Sequence, residues 1–462
     1  MNTRGHSRSN GRHIGRRTVL GAGVVGAGAV VAWKVLGDSD GTAIATPPER
    51  QSAWTYPADG ASAGLSRLNV SGDSLYLTAG GPLSVHALSA GTGRRRWVAE
   101  VSGDKPGDVT LGPVTIAGGT VYALAEGGHV TALADADGSR RWASEPLGGG
   151  PPEAPVVIGS TVCVLMGTKS AADEAGGTRT LVKGVLCGLE AGTGRVKWRA
   201  GGNRLLLEDR HRGQLIADDR DGDRLSALDP QTGEPRWSLP KQDSVALGPQ
   251  LLYATGTGTA DEVSAYDLST GERRWKAAAP PKESADTIGA ELTVSADGRT
   301  VHVCDVGTGA VYAYDARTGD RRWRITVDSP AGPAAASGGA EPGGAAFFLA
   351  STSGFPGAHP AGSGFHNPFS GGGEKPGGYV TARATTDGKQ LWRTESGVCT
   401  SRAVAAQDWV LVAHDTQTWA YDARTGTARW CVTGEPGAGD FPLVADGRLY
   451  VVTDTGIAAV AL

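Results

Sequence analysis

Ala313-Tyr314-Asp315-Ala316-Arg317-Thr318-Gly319-Asp320-Arg321-Arg322-Trp323 is the stretch on which the fold turns. An Asp followed three residues later by Thr-Gly is turn chemistry. The carboxylate and hydroxyl cap nearby backbone N–H groups, and glycine supplies a positive φ. An alternating strand enters this turn and another leaves it toward the tryptophan. The pattern returns from Ala265 to Trp275 and from Ala420 to Trp430, and less regularly ahead of Trp97, Trp142, Trp198, Trp237 and Trp392. In all eight copies the glycine stands four residues before the tryptophan: Gly93, Gly138, Gly194, Gly233, Gly271, Gly319, Gly388 and Gly426.

Two further strand patterns lie between successive motifs, as in 112–116 and 120–124, and the body shows no amphipathic helical stretch. A four-stranded unit recurring at roughly 40 residues reads as the blade of an all-β propeller. One such sheet cannot bury both faces alone, whereas sheets stacked around an axis bury them against each other. The tryptophan is the large flat side chain that fills the gap between blades, its N–H within reach of a backbone carbonyl. The end of the chain, with strands at 449–452 and 457–460, lacks a following Thr-Gly-x-x-x-Trp, and the beginning supplies a solitary Trp54. Pairing the two ends closes the ring inside a blade and leaves no raw edge. Counting Trp54 gives nine units; propellers usually have about four to eight blades, so eight are favoured and the motif count allows nine.

The first 45 residues differ from the rest. They hold six of the 44 basic residues and two of the 48 acidic ones, which leaves 46–462 with a net charge of about −8. A net-acidic body gives no footing for non-specific nucleic-acid binding. Arg16-Arg17-Thr18-Val19-Leu20 opens a Gly/Ala/Val run of about 16 residues, ~24 Å as a helix against a hydrocarbon core of ~30 Å. It resembles a twin-arginine export signal, with Ala43-Ile44-Ala45 as a small-x-small cleavage site. A retained N-terminal anchor is the alternative. Either reading places the body outside the cytoplasm, so 1–45 reads as signal or tether and 46–462 as a single propeller domain.

Five cysteines are scattered with no CxxC pair. Cys163 with Cys187, and Cys399 with Cys431, are candidate pairs; buried thiols are the expectation. Loop insertions interrupt the rhythm at 167–182 and 351–378. The second sets Phe355, His359, Phe365, His366 and Phe369 among small residues, a candidate ligand loop. Its two histidines lack companions at metal-ligand spacing. Asp218-Asp219-Arg220-Asp221-Gly222-Asp223 departs from an EF-hand loop and is expected as a hairpin turn. The glycines of 254–258 precede no helix and suit a hairpin, not a phosphate loop. No serine or cysteine stands in a nucleophile motif.

The repeated Ala-x-Asp-x-x-Thr-Gly-x-x-x-Trp resembles the tryptophan-docking motif of the pyrroloquinoline-quinone (PQQ)-like propellers, from about residue 52 to the end of the chain. That resemblance implies one of two branches: dehydrogenases using PQQ and calcium, or cofactor-free binding and scaffold proteins. The dehydrogenases typically carry two adjacent cysteines, and none are adjacent here. The motif acids Asp229, Asp267, Asp315 and Asp422 read as turn residues. The expectation is therefore a non-catalytic exported protein that binds a protein, peptide or cell-envelope ligand, without cofactor or metal. A PQQ-dependent dehydrogenase of an alcohol or sugar is the alternative.

Overall fold

The alternation along each strand sets two apolar faces per sheet, and the chain buries both by stacking sheets side by side. The computed structural model describes residues 44–462 except 58–67, 81–82, 102–110, 126, 149–153, 170–180, 202, 210–213, 220–223, 257–261, 280–290, 296, 305–309, 327–345, 351–378, 397–402, 415, 437–441 and 454–455. The chain divides into Met1–Ala43 and Ile44–Leu462, and every described residue lies in the second unit. All regular structure among the described residues is strand, each strand antiparallel to the next.

Nine sheets follow one another along the chain. Blade 1 contains Leu68–Ser71, Ser74–Gly80, Leu83–Ser89 and Arg95–Glu100. Blade 2 runs from Thr115 to Ala143, blade 3 from Val156 to Gly201, blade 4 from Asn203 to Pro240 and blade 5 from Gln242 to Ala278. Blade 6 contains Glu291–Val294, Thr300–Cys304, Ala310–Asp315 and Arg321–Thr326. Blade 7 has three described strands, Ala346–Ala350, Tyr379–Ala384 and Gln390–Glu395, and blade 8 contains Val404–Ala406, Trp409–His414, Gln417–Asp422 and Ala428–Thr433. The closing sheet joins Glu435–Pro436, Leu443–Ala445, Arg448–Thr453 and Gly456–Ala461 to Trp54–Pro57 from the other end of the sequence. Seven blades with four described strands and this five-stranded sheet give the favoured eight, and blade 7, with three described strands, brings the sheets to nine, equal to the nine tryptophan-led units.

The position of a strand within its blade fixes its burial. Thr300–Cys304 is buried at every residue because both faces meet a neighbouring blade. On the outer strand Arg321–Thr326 only Trp323 is buried, and arginines cover the solvent side. Among the described residues eight apolar clusters each join two successive blades, and a ninth lies within blade 6; one packs Tyr253, Val263 and Trp275 of blade 5 against Leu292, Val301 and Tyr314 of blade 6.

In blade 3 the strands Thr161–Lys169 and Leu181–Glu190 stay paired out to Lys169 and Leu181, so strand runs into both ends of the first insertion. The second lies outside the described residues. Asp219 pairs with Arg224 at the mouth of a hairpin whose tip, 220–223, also lies outside them. Cys163 opposes Gly188 and Cys187 opposes Val164. The two thiols therefore point to opposite faces of blade 3, into different clusters, and cannot bridge.

Candidate functional site

The motif residues meet at the corners between third and outer strands. At blade 6 the Asp315 carboxylate accepts from the backbone N–H groups of Arg317 at 2.9 Å and Thr318 at 3.0 Å. Its other oxygen accepts from Arg322 at 2.8 Å. That Arg322 bond, with the backbone donors, holds the Asp315 carboxyl down at about 2. The N–H of Gly319 donates to Asp315 O at 2.9 Å, which tightens the corner around a glycine with φ of 79°.

The indole of the preceding blade lies on that glycine. A Cβ at Gly319 would stand 2.5 Å from Trp275, and at the eight motif glycines the nearest atom would be 2.4–2.9 Å away, on that tryptophan; at Gly388 Ile325 comes equally close. Glycine is required twice over, for its backbone conformation and for the space. Each of these indoles also donates to the carbonyl three residues before the glycine. Trp54 reaches Ala90, Trp97 Asp135, Trp142 Ala191 and Trp198 Pro230, at 2.8–3.2 Å. Trp237 reaches Leu268, Trp275 Ala316, Trp323 Thr385 and Trp392 Ala423, at 2.8–3.1 Å.

Two partners of the tryptophan escaped the sequence reading. The first is the motif alanine, which faces the tryptophan of its own blade across the sheet, as Ala265 faces Trp275 and Ala313 faces Trp323. In blade 3 the place is taken by Gly188, where a Cβ would lie 2.2 Å from Trp198. The second is an aromatic on the second strand. Tyr76, Tyr122, Tyr253 and Tyr450 tilt onto Trp97, Trp142, Trp275 and Trp54 with centroids 5.9–6.1 Å apart. His302 holds that place against Trp323 at 5.6 Å, and burial pushes its imidazole down to about 4. The signal was present as Tyr two residues into the second strand, but its partner sits two strands away.

Trp430 is the exception among the nine. The closing sheet offers no Thr-Gly corner, and the Trp430 N–H is buried without a hydrogen-bond partner among the described residues. Arg50, four residues before Trp54 and so in the motif-glycine place, stands over the Trp430 ring at 4.8 Å. Trp409 meets the ring edge-on at 5.7 Å. Of the export-signal residues, Ala45 is exposed, and Arg16, Arg17 and Ala43 lie outside the described residues, as do Phe355, His359, Phe365, His366 and Phe369.

This ring of tryptophan corners has a counterpart in known sequences. The PQQ_2 family model, described as outer membrane protein assembly factor BamB, matches residues 6–201, 259–341 and 376–462. The chain belongs to that family. No curated protein matches its sequence. The crystal structure of BamB from Moraxella catarrhalis is 16% identical over 89% of this chain and 99% of its own, with a TM-score of 0.49. Quinohemoprotein alcohol dehydrogenase ADHIIG from Pseudomonas putida HK5 is 15% identical over 87% of this chain and 71% of its own, with a TM-score of 0.46. Sqt1 of Saccharomyces cerevisiae is 10% identical over 90% and 100%, with a TM-score of 0.48. No function follows from likenesses at this level.

In a BamB-family propeller, calcium and quinone chemistry would need oxygen ligands left free to hold the ion. Among the described residues no three of His, Cys, Asp and Glu come together as a metal-holding group. The motif acids are spent on corner backbone and arginines, as Asp229 is on Arg236 and Asp267 on Arg274. The described cysteines are buried free thiols, with burial pushing Cys163 up to about 12. These residues do not fit that pair of groups.

Proposed function

We propose that the chain is an exported, non-catalytic propeller that binds or scaffolds a protein or cell-envelope ligand. The observation that carries this reading is the occupation of the repeat chemistry. The motif aspartates and arginines and eight of the nine motif indoles are committed to each other and to backbone at the corners. What such a frame offers a partner is a rigid ring with connections of differing length, the arrangement in which loops carry recognition. Membership of a family described by outer-membrane protein assembly supports a protein partner and an envelope location. The twin-arginine-like leader points the same way.

The test is a titration of the protein with PQQ and calcium followed by absorbance, with dye-linked oxidation of an alcohol and of glucose on the same sample. The expected result is no quinone spectrum and no dye reduction. Cross-linking in an envelope fraction should then retain a discrete protein. Stoichiometric quinone uptake with dye reduction would establish the dehydrogenase instead.

A further inference from the structure

Residues 47–50 lie along the outer edge of blade 8 and are held there by little. Pro47 and Pro48 have no N–H to give, so a full ladder cannot form. Two backbone bonds remain, Cys431 N–H to Pro48 O at 3.0 Å and Arg50 N–H to Cys431 O at 2.8 Å, around a single parallel bridge of Glu49 to Cys431. The Cys431 thiol donates to Pro47 O at 3.2 Å and the Thr433 hydroxyl to the Glu49 carboxylate at 2.8 Å. The next segment, Trp54–Pro57, is paired at every residue with Gly456–Ala459. Pro47 and Cys431 are buried, but a segment held by few backbone bonds opens before one paired at every residue.

The surface beneath is better built than its cover. It has the backbone edge of Ala428–Thr433, the Trp430 ring under Arg50, Trp409 against that ring, and a buried indole N–H with no partner among the described residues. We propose that this edge is a binding site for an extended peptide, which residues 47–50 of the chain itself fill in cis. The contacts define the peptide. It runs parallel to Ala428–Thr433, offers carbonyls to the Cys431 N–H and thiol, and sets a cation over Trp430. Releasing 47–50 leaves the ring closed, because Trp54–Pro57 closes it independently. A propeller of either proposed function would carry this edge, so the site does not depend on the scaffold reading.

The test uses the full chain carrying Pro47→Gly, Pro48→Gly, Glu49→Ser and Arg50→Ser, with a fluorescein-labelled peptide of residues 44–51 followed by anisotropy. Saturable binding is expected. Wild type should bind about tenfold or more weakly, because its own segment competes at high effective concentration. Replacing the peptide's arginine by alanine should weaken binding about three- to tenfold. No saturable binding to a variant with wild-type circular dichroism, or equal binding of both peptides, overturns the proposal. Should the fourfold variant not fold, Arg50→Ala alone carries the same comparison. It must then bind the peptide more tightly than wild type does, and equal affinity again overturns the site.

Discussion

At Gly319 two demands coincide that are separable elsewhere in the chain. Gly72 shares the positive φ, at 55°, but nothing lies within 4 Å of where its Cβ would be. Gly319→Ala should therefore lose about 3 kcal/mol, from the left-handed backbone plus overpacking against Trp275, and Gly72→Ala only about 1 kcal/mol. Urea unfolding of the two variants separates conformation from space; equal losses would show that the indole yields. His302 makes the second residue-scale prediction. Its folded pKa of about 4 lies below the ordinary 6.5, so between those values the unfolded chain binds the proton that the folded chain refuses. The stability that this buried neutral imidazole contributes is complete above pH 6.5 and lost as pH falls toward 4, a difference of about 3 kcal/mol. His302→Tyr, the residue of blades 1, 2 and 5 at this place, should flatten the wild-type fall in urea midpoint between pH 7 and 4.5. Glycine and tryptophan were legible in the sequence because their spacing repeats along the chain. The alanine repeats with them, but its place against the ring, like that of the tyrosine, was not legible, because both meet the ring across the sheet rather than along the chain.

At the level of the corner, blade 7 departs from its neighbours in a correlated way. Ala384 stands where blades 4, 5, 6 and 8 have Asp229, Asp267, Asp315 and Asp422, and Leu391, 56% exposed, where those blades have the paired Arg. The turn survives on the Asp387 carboxylate, which accepts from Lys389 N–H at 3.1 Å, and on Gly388 N–H to Ala384 O at 2.9 Å. Introducing Ala384→Asp with Leu391→Arg should restore the pair seen as Asp315–Arg322 at 2.8 Å in blade 6. A double-mutant cycle is expected to show a favourable coupling of about 0.5 kcal/mol, the range of exposed ion pairs, shrinking in 0.5 M salt over a Debye length of about 4 Å. No coupling at low salt would mean that the corner positions its arginine by packing alone. The turn itself was readable from Asp-x-x-Thr-Gly because all its bonds are local. The reach of strand to Lys169 and Leu181 was not, since that polar stretch lacks the alternation that marks a strand and is held by pairing with its partner.

Closure belongs to the whole molecule, and its register shows how far the repeat extends. Ala459 faces Trp54 as Ala313 faces Trp323. Counting onward, Leu462 holds the place of Ala316, and its N–H donates to Gly447 O at 2.9 Å as that of Ala316 does to Arg299 O at 2.9 Å. Arg50 holds the place of Gly319, which leaves places for two residues between. The sequence suggested that the ends pair but hid this split corner, because an arginine over Trp430 replaces the glycine that would have marked it. A circular permutant can rewrite it: Leu462 joined to residue 48, new ends opened within 149–153, and Ala461→Asp, Pro48→Arg, Glu49→Thr and Arg50→Gly. The new corner exchanges a cation–π contact worth about 1 kcal/mol for an indole-to-carbonyl hydrogen bond of similar worth. The permutant should therefore fold as a monomer with a urea midpoint close to that of the parent. The same four substitutions without the new connection remove the cation and the strap contacts and supply no acceptor, so that control should lose about 2 kcal/mol. A permutant no more stable than its control would mean that the closing sheet does not share the register of the other blades, and that its ends pair as a local patch on the ring.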